Sequence, residues 1–112
     1  MDNELIIKVG DKELRFKLKS QTIVLLEKLY GKNIFEIFQE LSFTTVQRIF
    51  WEALQNKDAV ENIDEMMDLV LTQKSLIELA NEELQELAVK SGILKAKDLD
   101  VANESIEEIK NA

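Results

Sequence analysis

Residues 5–18 read LIIKVGDKELRFKL, the only stretch of the chain with a two-residue hydrophobic period. In its second half the apolar residues Leu14, Phe16 and Leu18 alternate with charged residues. This alternation puts apolar side chains on one face of a strand and charged ones on the other. Because Gly10 supplies a permissive backbone for chain reversal, we predict a β-hairpin over residues 4–19. A lone hairpin is marginal in water, so its apolar face has to rest on helices.

After the hairpin, apolar residues recur at helical spacing, which predicts five helices. The first two cover residues 21–30 and 34–41, the third ends at about residue 55, the fourth begins at residue 63 and the fifth begins at residue 75. The predicted cap and stop residues are Ser20, Gly31, Asn33, Asn62, Ser75 and Gly92. The sequence therefore predicts a single α+β domain over residues 1–95, with an N-terminal β-hairpin packed on a mostly α-helical domain of about five helices. The longest of these helices is expected to start at Ser75. Residues 96–112 are acidic, and we expect them to form a solvated tail or a frayed helix. The alternative is an acidic arm that folds when it binds a partner.

The composition removes most catalytic designs. The chain has 112 residues and no His, Cys or Pro. Without cysteine there is no disulfide, no thiolate metal site and no cysteine nucleophile, and nothing argues for an oxidising compartment. Without histidine the usual general base and the usual metal ligand are both missing. We therefore expect a protein that is not an enzyme and has no cofactor and no metal.

Charge and hydrophobic runs argue against nucleic-acid and membrane partners. The net charge is −8, whereas phosphate backbones and anionic lipid surfaces attract Lys and Arg. The start at Met1 lacks the basic region of a signal peptide. The longest aliphatic run covers residues 23–26, whereas a membrane span needs about 20 apolar residues. The default compartment is the cytoplasm.

One group of carboxylates stands out, comprising Glu78, Glu82, Glu83 and Glu86. On a helix we expect these residues to lie opposite the apolar stripe, as the solvated face of an amphipathic helix. The acids between residues 58 and 68 lack the residue order of a calcium loop. Neither group therefore indicates a catalytic or metal site.

The chain has more apolar surface than one-sided helices require. Residues 23–26 are consecutive aliphatics, and at roughly 100° per residue they surround the helix axis. We expect that helix to be covered on at least two sides. Several aromatic residues lie at the edge of their stripes or off them, which leaves two interpretations open. Either the core wraps around them, or they form a docking patch for another protein, made of Tyr30, Phe35, Phe43 and Trp51.

Three segments together resemble a known family. They are the Leu-x-Phe-x-Leu pattern at residues 14–18, LEKLYGKNIFE at residues 26–36, and FWEAL at residues 50–54. Over residues 4–90 the chain resembles the tail assembly chaperones of long-tailed, siphovirus-type bacteriophages and prophages. The segments contain no reactive group, and the family has no catalytic residues to carry over.

The resemblance implies a small helical protein of the bacterial host cytoplasm that is absent from the mature virion. Its implied role in tail morphogenesis is to coat the tape-measure protein and to recruit tail-tube subunits before the tube polymerises. A longer form made by programmed frameshifting is common in the family. Because many copies would bind along one tape-measure chain, we also expect weak homo-oligomers, with contacts that include the hairpin edge or the third helix.

Two other functions stay open at this point. The first is a small acidic protein-interaction or DNA-mimic regulator encoded by a phage or prophage, for which we expect acids in paired rows at phosphate-like spacing. The acids are instead dispersed among lysines. The second is a helix-turn-helix regulator over residues 46–73, but there Arg48 and Lys57 stand nearly alone as candidates for a basic recognition face.

Overall fold

The computed structural model describes residues 3–95 and has the predicted α+β architecture. An N-terminal antiparallel hairpin precedes four separate helices and a final continuous helical run at residues 76–90. A 3₁₀ turn lies between the third and fourth helices. The elements are β1 (Leu5–Val9), β2 (Lys12–Phe16), α1 (Ser20–Tyr30), α2 (Ile34–Gln39), α3 (Phe43–Ala53), the 3₁₀ turn (Lys57–Ala59), α4 (Ile63–Leu71), α5 (Leu76–Glu78), a π segment (Leu79–Glu83) and α6 (Leu84–Lys90). The expected tail at residues 96–112 lies outside the described residues.

The hairpin turns where the sequence predicts. Val9 pairs with Lys12 across a two-residue loop, and Gly10 takes a positive φ of 61°, which costs glycine little. The pairing places Leu5 opposite Phe16 and Ile7 opposite Leu14. All four of these side chains are buried, so the apolar face of the hairpin rests on the helices.

The core lies between the hairpin, α3, α4 and the final helical run. Phe50 of α3 is fully buried and meets Phe16 of β2 edge to face, with 5.3 Å between the ring centroids. This geometry suits the quadrupoles of two aromatic rings. The helices supply the remaining large buried side chains, Val46, Ile49, Met66, Met67, Val70, Leu79, Leu84 and Leu87.

The outer edge of β2 is closed by the chain that follows α3. The Gln55 N–H donates to the Arg15 carbonyl oxygen at 2.7 Å, and the Arg15 N–H donates to Asn56 Oδ1 at 3.0 Å. Asn56 Nδ2 also donates to the Glu13 carbonyl oxygen at 2.8 Å. Residues 55 and 56 therefore occupy the hydrogen-bonding positions that another strand would use.

Most predicted caps are confirmed. Gly31 ends α1 with a left-handed φ of 65°, and the side chains of Asn33, Asn62 and Ser75 each accept the backbone N–H three residues on. The prediction for Ser20 was wrong, because the helix begins one residue earlier. Its first carbonyl acceptor belongs to Lys19, which makes no side-chain cap bond, and Ser20 is the first helical residue.

One helix boundary, the regularity of the last helix and one burial prediction also need correction. Helix α2 ends at Gln39 rather than residue 41, and the last helix contains a π segment in its middle. Glu83 was expected in solvent, but it is only 7% exposed, and its Oε1 lies 3.1 Å from Lys74 Nζ. Because Glu83 follows the buried Leu79 by four residues, it lies on the apolar face, where Lys74 balances its charge.

Candidate interaction surface

Some large apolar side chains remain in solvent. Scattered single residues of this kind are normal on a protein surface. Three of the exposed residues belong to the same helix, α1. Among residues 3–95, the set that is at least 36% exposed comprises Ile6, Val24, Leu25, Leu29, Phe35, Phe43, Leu71 and Ile77.

The α1 outer face, which we define as Val24, Leu25 and Leu29, holds three of the eight exposed large apolar side chains of residues 3–95. The three side chains are 47%, 49% and 56% exposed. Leu25 and Leu29 are four residues apart and are therefore neighbours one helical turn from each other. Val24 lies beside Leu25 around the axis. Leu25 and Leu29 together form a short apolar strip, and the exposed Lys28 lies between this strip and Val24 around the axis.

The expectation that α1 is covered on at least two sides was wrong for the described part of the chain. Helix α1 packs against α2 and α3, and Leu26 is its only fully buried residue. Ile23 and Tyr30 are partly buried against the same core. Because both neighbouring helices meet the side of α1 that carries Leu26, the opposite side stays in water.

The turn between α1 and α2 fixes how this face is presented. The Gly31 N–H donates to the Glu27 carbonyl oxygen at 2.9 Å, which closes the last turn of α1. The Glu27 carboxylate in turn accepts the Ile34 N–H at 2.9 Å, at the start of α2. An acidic side chain is favourable at this helix end, where backbone N–H groups are unpaired. The outer face is thus carried by an anchored helix.

The four aromatic residues predicted as a docking patch fall into two classes. Phe35 and Phe43 are 53% and 43% exposed, whereas Tyr30 and Trp51 are half-buried against the core. Tyr30 reaches the beginning of α3, the helix that starts with Phe43. There it lines a cavity of about 90 Å³ with Lys32, Ile37, Glu40 and Thr45.

Trp51 lies at the other end of α3 and is separated from Phe43 by roughly 12 Å along the helix axis, at 1.5 Å per residue. Its ring is also occupied on one side. Lys57 Nζ lies 5.3 Å from the ring centroid and donates to the Leu54 carbonyl oxygen at 2.9 Å. This is a cation–π arrangement within the chain. Trp51 therefore does not share one surface with the beginning of α3.

Sequence reasoning named the aromatic residues and missed the α1 outer face. A signal was present, since the consecutive run at 23–26 cannot lie on one side of a helix. The sequence pattern predicts that the helix of residues 23–26 is covered on two sides, because apolar groups are usually buried. Leu29, four residues after Leu25, extends the same side and would have marked it as a separate strip.

The larger cavity, about 320 Å³, lies beside β1 and holds paired charges. Its lining is Glu4, Leu5, Ile6, Lys74, Glu83, Glu86 and Lys90. Within it Lys74 pairs with Glu83 at 3.1 Å and Lys90 with Glu86 at 3.7 Å. The hydrogen bond and charge of Glu83 raise the pKa of Lys74 above its ordinary value. That lysine therefore stays protonated at neutral pH and is a poor amine nucleophile.

Residues 3–95 contain no group of three or more His, Cys, Asp or Glu side chains that could hold a metal ion. No helix in that range is both long enough and apolar enough to cross a bilayer.

In comparisons with protein-family models, curated proteins and solved structures, nothing matches this chain.

Proposed function

We propose that this protein is a non-catalytic phage tail assembly chaperone that binds the tape-measure protein and recruits tail-tube subunits during tail morphogenesis. The observation that carries the proposal is the α1 outer face, with three half-exposed aliphatic side chains on an anchored helix. The family and the partners come from the resemblance of residues 4–90. The interaction chemistry comes from the exposed strip.

An apolar helix is the partner that fits this strip best. Side chains spaced by one helical turn form ridges that pack into the grooves of another helix. The tape-measure protein that the resemblance implies is a long, mostly helical, hydrophobic chain that aggregates when left bare. Covering its apolar stripe with Leu25 and Leu29 would remove both apolar surfaces from water.

The charge of the chain supports the same role. A chaperone for an apolar chain has to keep the complex dissolved, and a net charge of −8 favours solubility through mutual repulsion of the complexes. The hydrophobic strip and the acidic remainder are therefore complementary parts of one function.

The distribution of acids argues against the DNA-mimic alternative. A mimic needs free carboxylates in rows, whereas many acids among the described residues are neutralised by a neighbouring Lys or Arg. The paired acids are Glu4, Glu13, Glu40, Glu52, Glu65, Glu83 and Glu86.

The direct test is coexpression with fragments of the tape-measure protein from the same phage genome. We expect the wild-type chain to keep a helical tape-measure fragment soluble and to copurify with it. The double variant Leu25→Lys/Leu29→Lys puts two charges into the strip and should weaken binding about 100-fold, if each leucine contributes about 1.4 kcal/mol or more as an interface anchor.

The matched control is Ile77→Lys, which removes the most exposed large apolar side chain of the described residues from a different helix. It should bind the fragment like wild type. Circular dichroism and a thermal midpoint establish that all variants fold. The proposal fails if no tape-measure fragment binds the wild-type chain, or if the double variant binds as well as Ile77→Lys.

The same experiment separates the aromatic patch from the α1 outer face. Phe35→Asp and Phe43→Asp alter the two exposed members of the predicted patch without touching the buried core. If either variant keeps the tape-measure fragment and loses the tail-tube subunit, that aromatic residue belongs to the recruitment surface. Mass spectrometry of purified virions tests the expectation that the protein leaves before the particle matures.

A further inference from the structure

The two edges of the hairpin differ in their backbone hydrogen bonding. Arg15 of β2 directs its N–H and its carbonyl oxygen to Asn56 and Gln55, away from β1. Arg15 stands directly opposite Ile6. In an antiparallel pair, two opposed residues either exchange both hydrogen bonds or point both backbone groups outwards. The N–H and carbonyl oxygen of Ile6 therefore point outwards from β1.

The same reasoning holds two residues further along. The Glu13 carbonyl oxygen points away from β1 to accept Asn56 Nδ2, and Glu13 stands opposite Lys8. Within residues 3–95, the backbone groups of Ile6 and Lys8 have no hydrogen-bond partner. The outer edge of β1 thus presents a short row of unused donors and acceptors, next to the cavity of about 320 Å³. Such an edge is a template for another strand.

The side chains along this edge are complementary to themselves. Strand residues two apart share a face, so Ile6 and Lys8 lie on the outer face of the hairpin. Glu4 directly precedes β1, and its carboxylate reaches Arg15, the residue opposite Ile6, on the same face. If two copies of β1 pair antiparallel about Ile6, the two Ile6 side chains meet at the two-fold axis. Glu4 of each copy then faces Lys8 of the other copy. Contacts of this kind occur twice in a symmetric dimer.

The register centred on Ile6 matches both the charges of Glu4 and Lys8 and the outward backbone groups of β1. With the pairing centred on Ile6, the outward N–H and carbonyl groups of Ile6 face each other as a hydrogen-bonded pair. A shift of one residue would put the buried face of one β1 beside the exposed face of the other. Centring on Leu5 or Ile7 instead would place Ile6 opposite Glu4 or Lys8, so that Glu4 of one copy would no longer face Lys8 of the other.

The lysine on the edge sharpens this conclusion. A charged residue on an edge strand normally prevents pairing, because a second strand would bring like charges together or bury a charge. Here Lys8 already pairs with Glu13 at 3.7 Å and Glu4 with Arg15 at 3.3 Å. In the antiparallel register each new neighbour again carries the opposite charge. The charges of this edge therefore disfavour most strands and are complementary to those of a second copy.

We propose that two copies of this chain associate through antiparallel pairing of their β1 edges, centred on Ile6, with Glu4 of each copy against Lys8 of the other. The contact involves one short strand from each copy, so the association is weak and depends on concentration. It uses a surface distinct from the α1 outer face and does not rest on the proposed chaperone function.

Charge reversal tests the pairing with its own control. Glu4→Lys brings lysines together across the interface, and Lys8→Glu brings glutamates together. Each variant alone should dissociate about tenfold more readily in sedimentation equilibrium, because two cross-strand pairs become repulsive. An equimolar mixture of the two variants places opposite charges together at both positions again. The mixture should therefore associate like wild type, although each variant carries the same local defect as when it is alone.

Amide hydrogen exchange locates the contact. In the wild-type chain, exchange at Ile6 and Lys8 should slow as the protein concentration rises, while exchange at Gln55 should not change. The proposal is overturned by a wild type that stays monomeric at high concentration, by unchanged exchange at Ile6, or by a variant mixture that associates no better than its components. If self-association fails and the β1 edge binds an extended peptide from another protein, that protein is the occupant of the edge and the proposed dimer is wrong. Self-association of Leu25→Lys/Leu29→Lys should match wild type, which keeps this result separate from the test of the chaperone function.

Discussion

Helices α1 and α3 each have eleven residues, and both are rich in apolar side chains, yet they occupy the molecule differently. Helix α3 buries five residues, including Val46, Ile49 and Phe50, at spacings of three and four that put them on one side. Helix α1 buries only Leu26, because its aliphatics are consecutive and spread around the axis. Angular position, more than apolar content, thus decides which helix builds the core and which one keeps apolar side chains in solvent.

The largest effect should come from emptying the centre of α3. Phe50→Ala removes a fully buried ring and leaves Phe16 without its edge-to-face partner. We expect a loss of about 4 kcal/mol in the free energy of unfolding, measured by urea denaturation. Phe35→Ala, which truncates a half-exposed ring in α2, should change it by less than about 0.5 kcal/mol. Equal losses in the two variants would contradict the difference in burial.

Neighbouring leucines of α1 provide the next test. Leu26→Ala should cost about 3 kcal/mol, because the side chain is fully buried and leaves a cavity. Leu25→Ala, one residue earlier and about half exposed, should cost less than about 1 kcal/mol. Thermal and urea midpoints of the two variants measure the difference. A large loss at Leu25 would mean that the α1 outer face is covered in solution.

Trp51 tests whether the end of α3 belongs to the core. Trp51→Ala should cost about 2 kcal/mol, less than a fully buried tryptophan, because it loses partial packing and the contact with Lys57. Phe43→Ala, at the exposed beginning of the same helix, is the control and should have little effect on the urea midpoint. If Trp51→Ala leaves stability unchanged and abolishes partner binding, Trp51 is an interface residue instead.

Helices α1 and α3 differ in their N-terminal caps, and a single substitution can give α1 the side-chain cap that it lacks. Ser42 caps α3 by accepting the Thr45 N–H, whereas Lys19 at the start of α1 makes no side-chain cap bond. Ser42→Ala should lose about 1 kcal/mol and Lys19→Asp should gain about 0.5–1 kcal/mol. Thermal midpoints provide the measurement. A loss from Lys19→Asp would show that the lysine makes a contact that matters more than its position at the cap.

The smallest effect is a response to pH at the beginning of the final helical run. Hydrogen bonds from Ser75, first from its backbone N–H and then from its side chain, lower the pKa of Glu78. A lowered pKa gives stability that is present above the ordinary carboxyl range and is lost as pH falls through the lowered value. Wild type should therefore exceed Glu78→Gln in stability at neutral pH, and the difference should vanish in acid. A pH-independent difference in urea midpoints would contradict this assignment.

Much of the fold was predictable because its signals are local. A two-residue period with Gly10 is sufficient for the hairpin, and Asn33, Asn62 and Ser75 sit where their side chains reach unpaired N–H groups. These signals depend on residues only a few positions apart. These local signals are therefore independent of how the rest of the chain folds.

What escaped prediction depends on tertiary contacts. The burial of Glu83 depends on its pairing with Lys74, and the exposed side of α1 follows from how α2 and α3 pack. Of the predicted patch, Phe35 and Phe43 are exposed, while Tyr30 and Trp51 are partly taken up by the core. Whether the exposed pair binds a protein stays a prediction.

The closure of β2 by residues 55 and 56 limits what the open edge of the hairpin can build. A sheet with two free edges recruits copies without end and grows into a fibre. With Asn56 and Gln55 bonded along one side, joining two hairpins yields four strands whose outermost positions are both occupied. If two copies associate through β1 as proposed, assembly by this route terminates at a pair, and a high local concentration of the protein would yield separate dimers instead of a polymer.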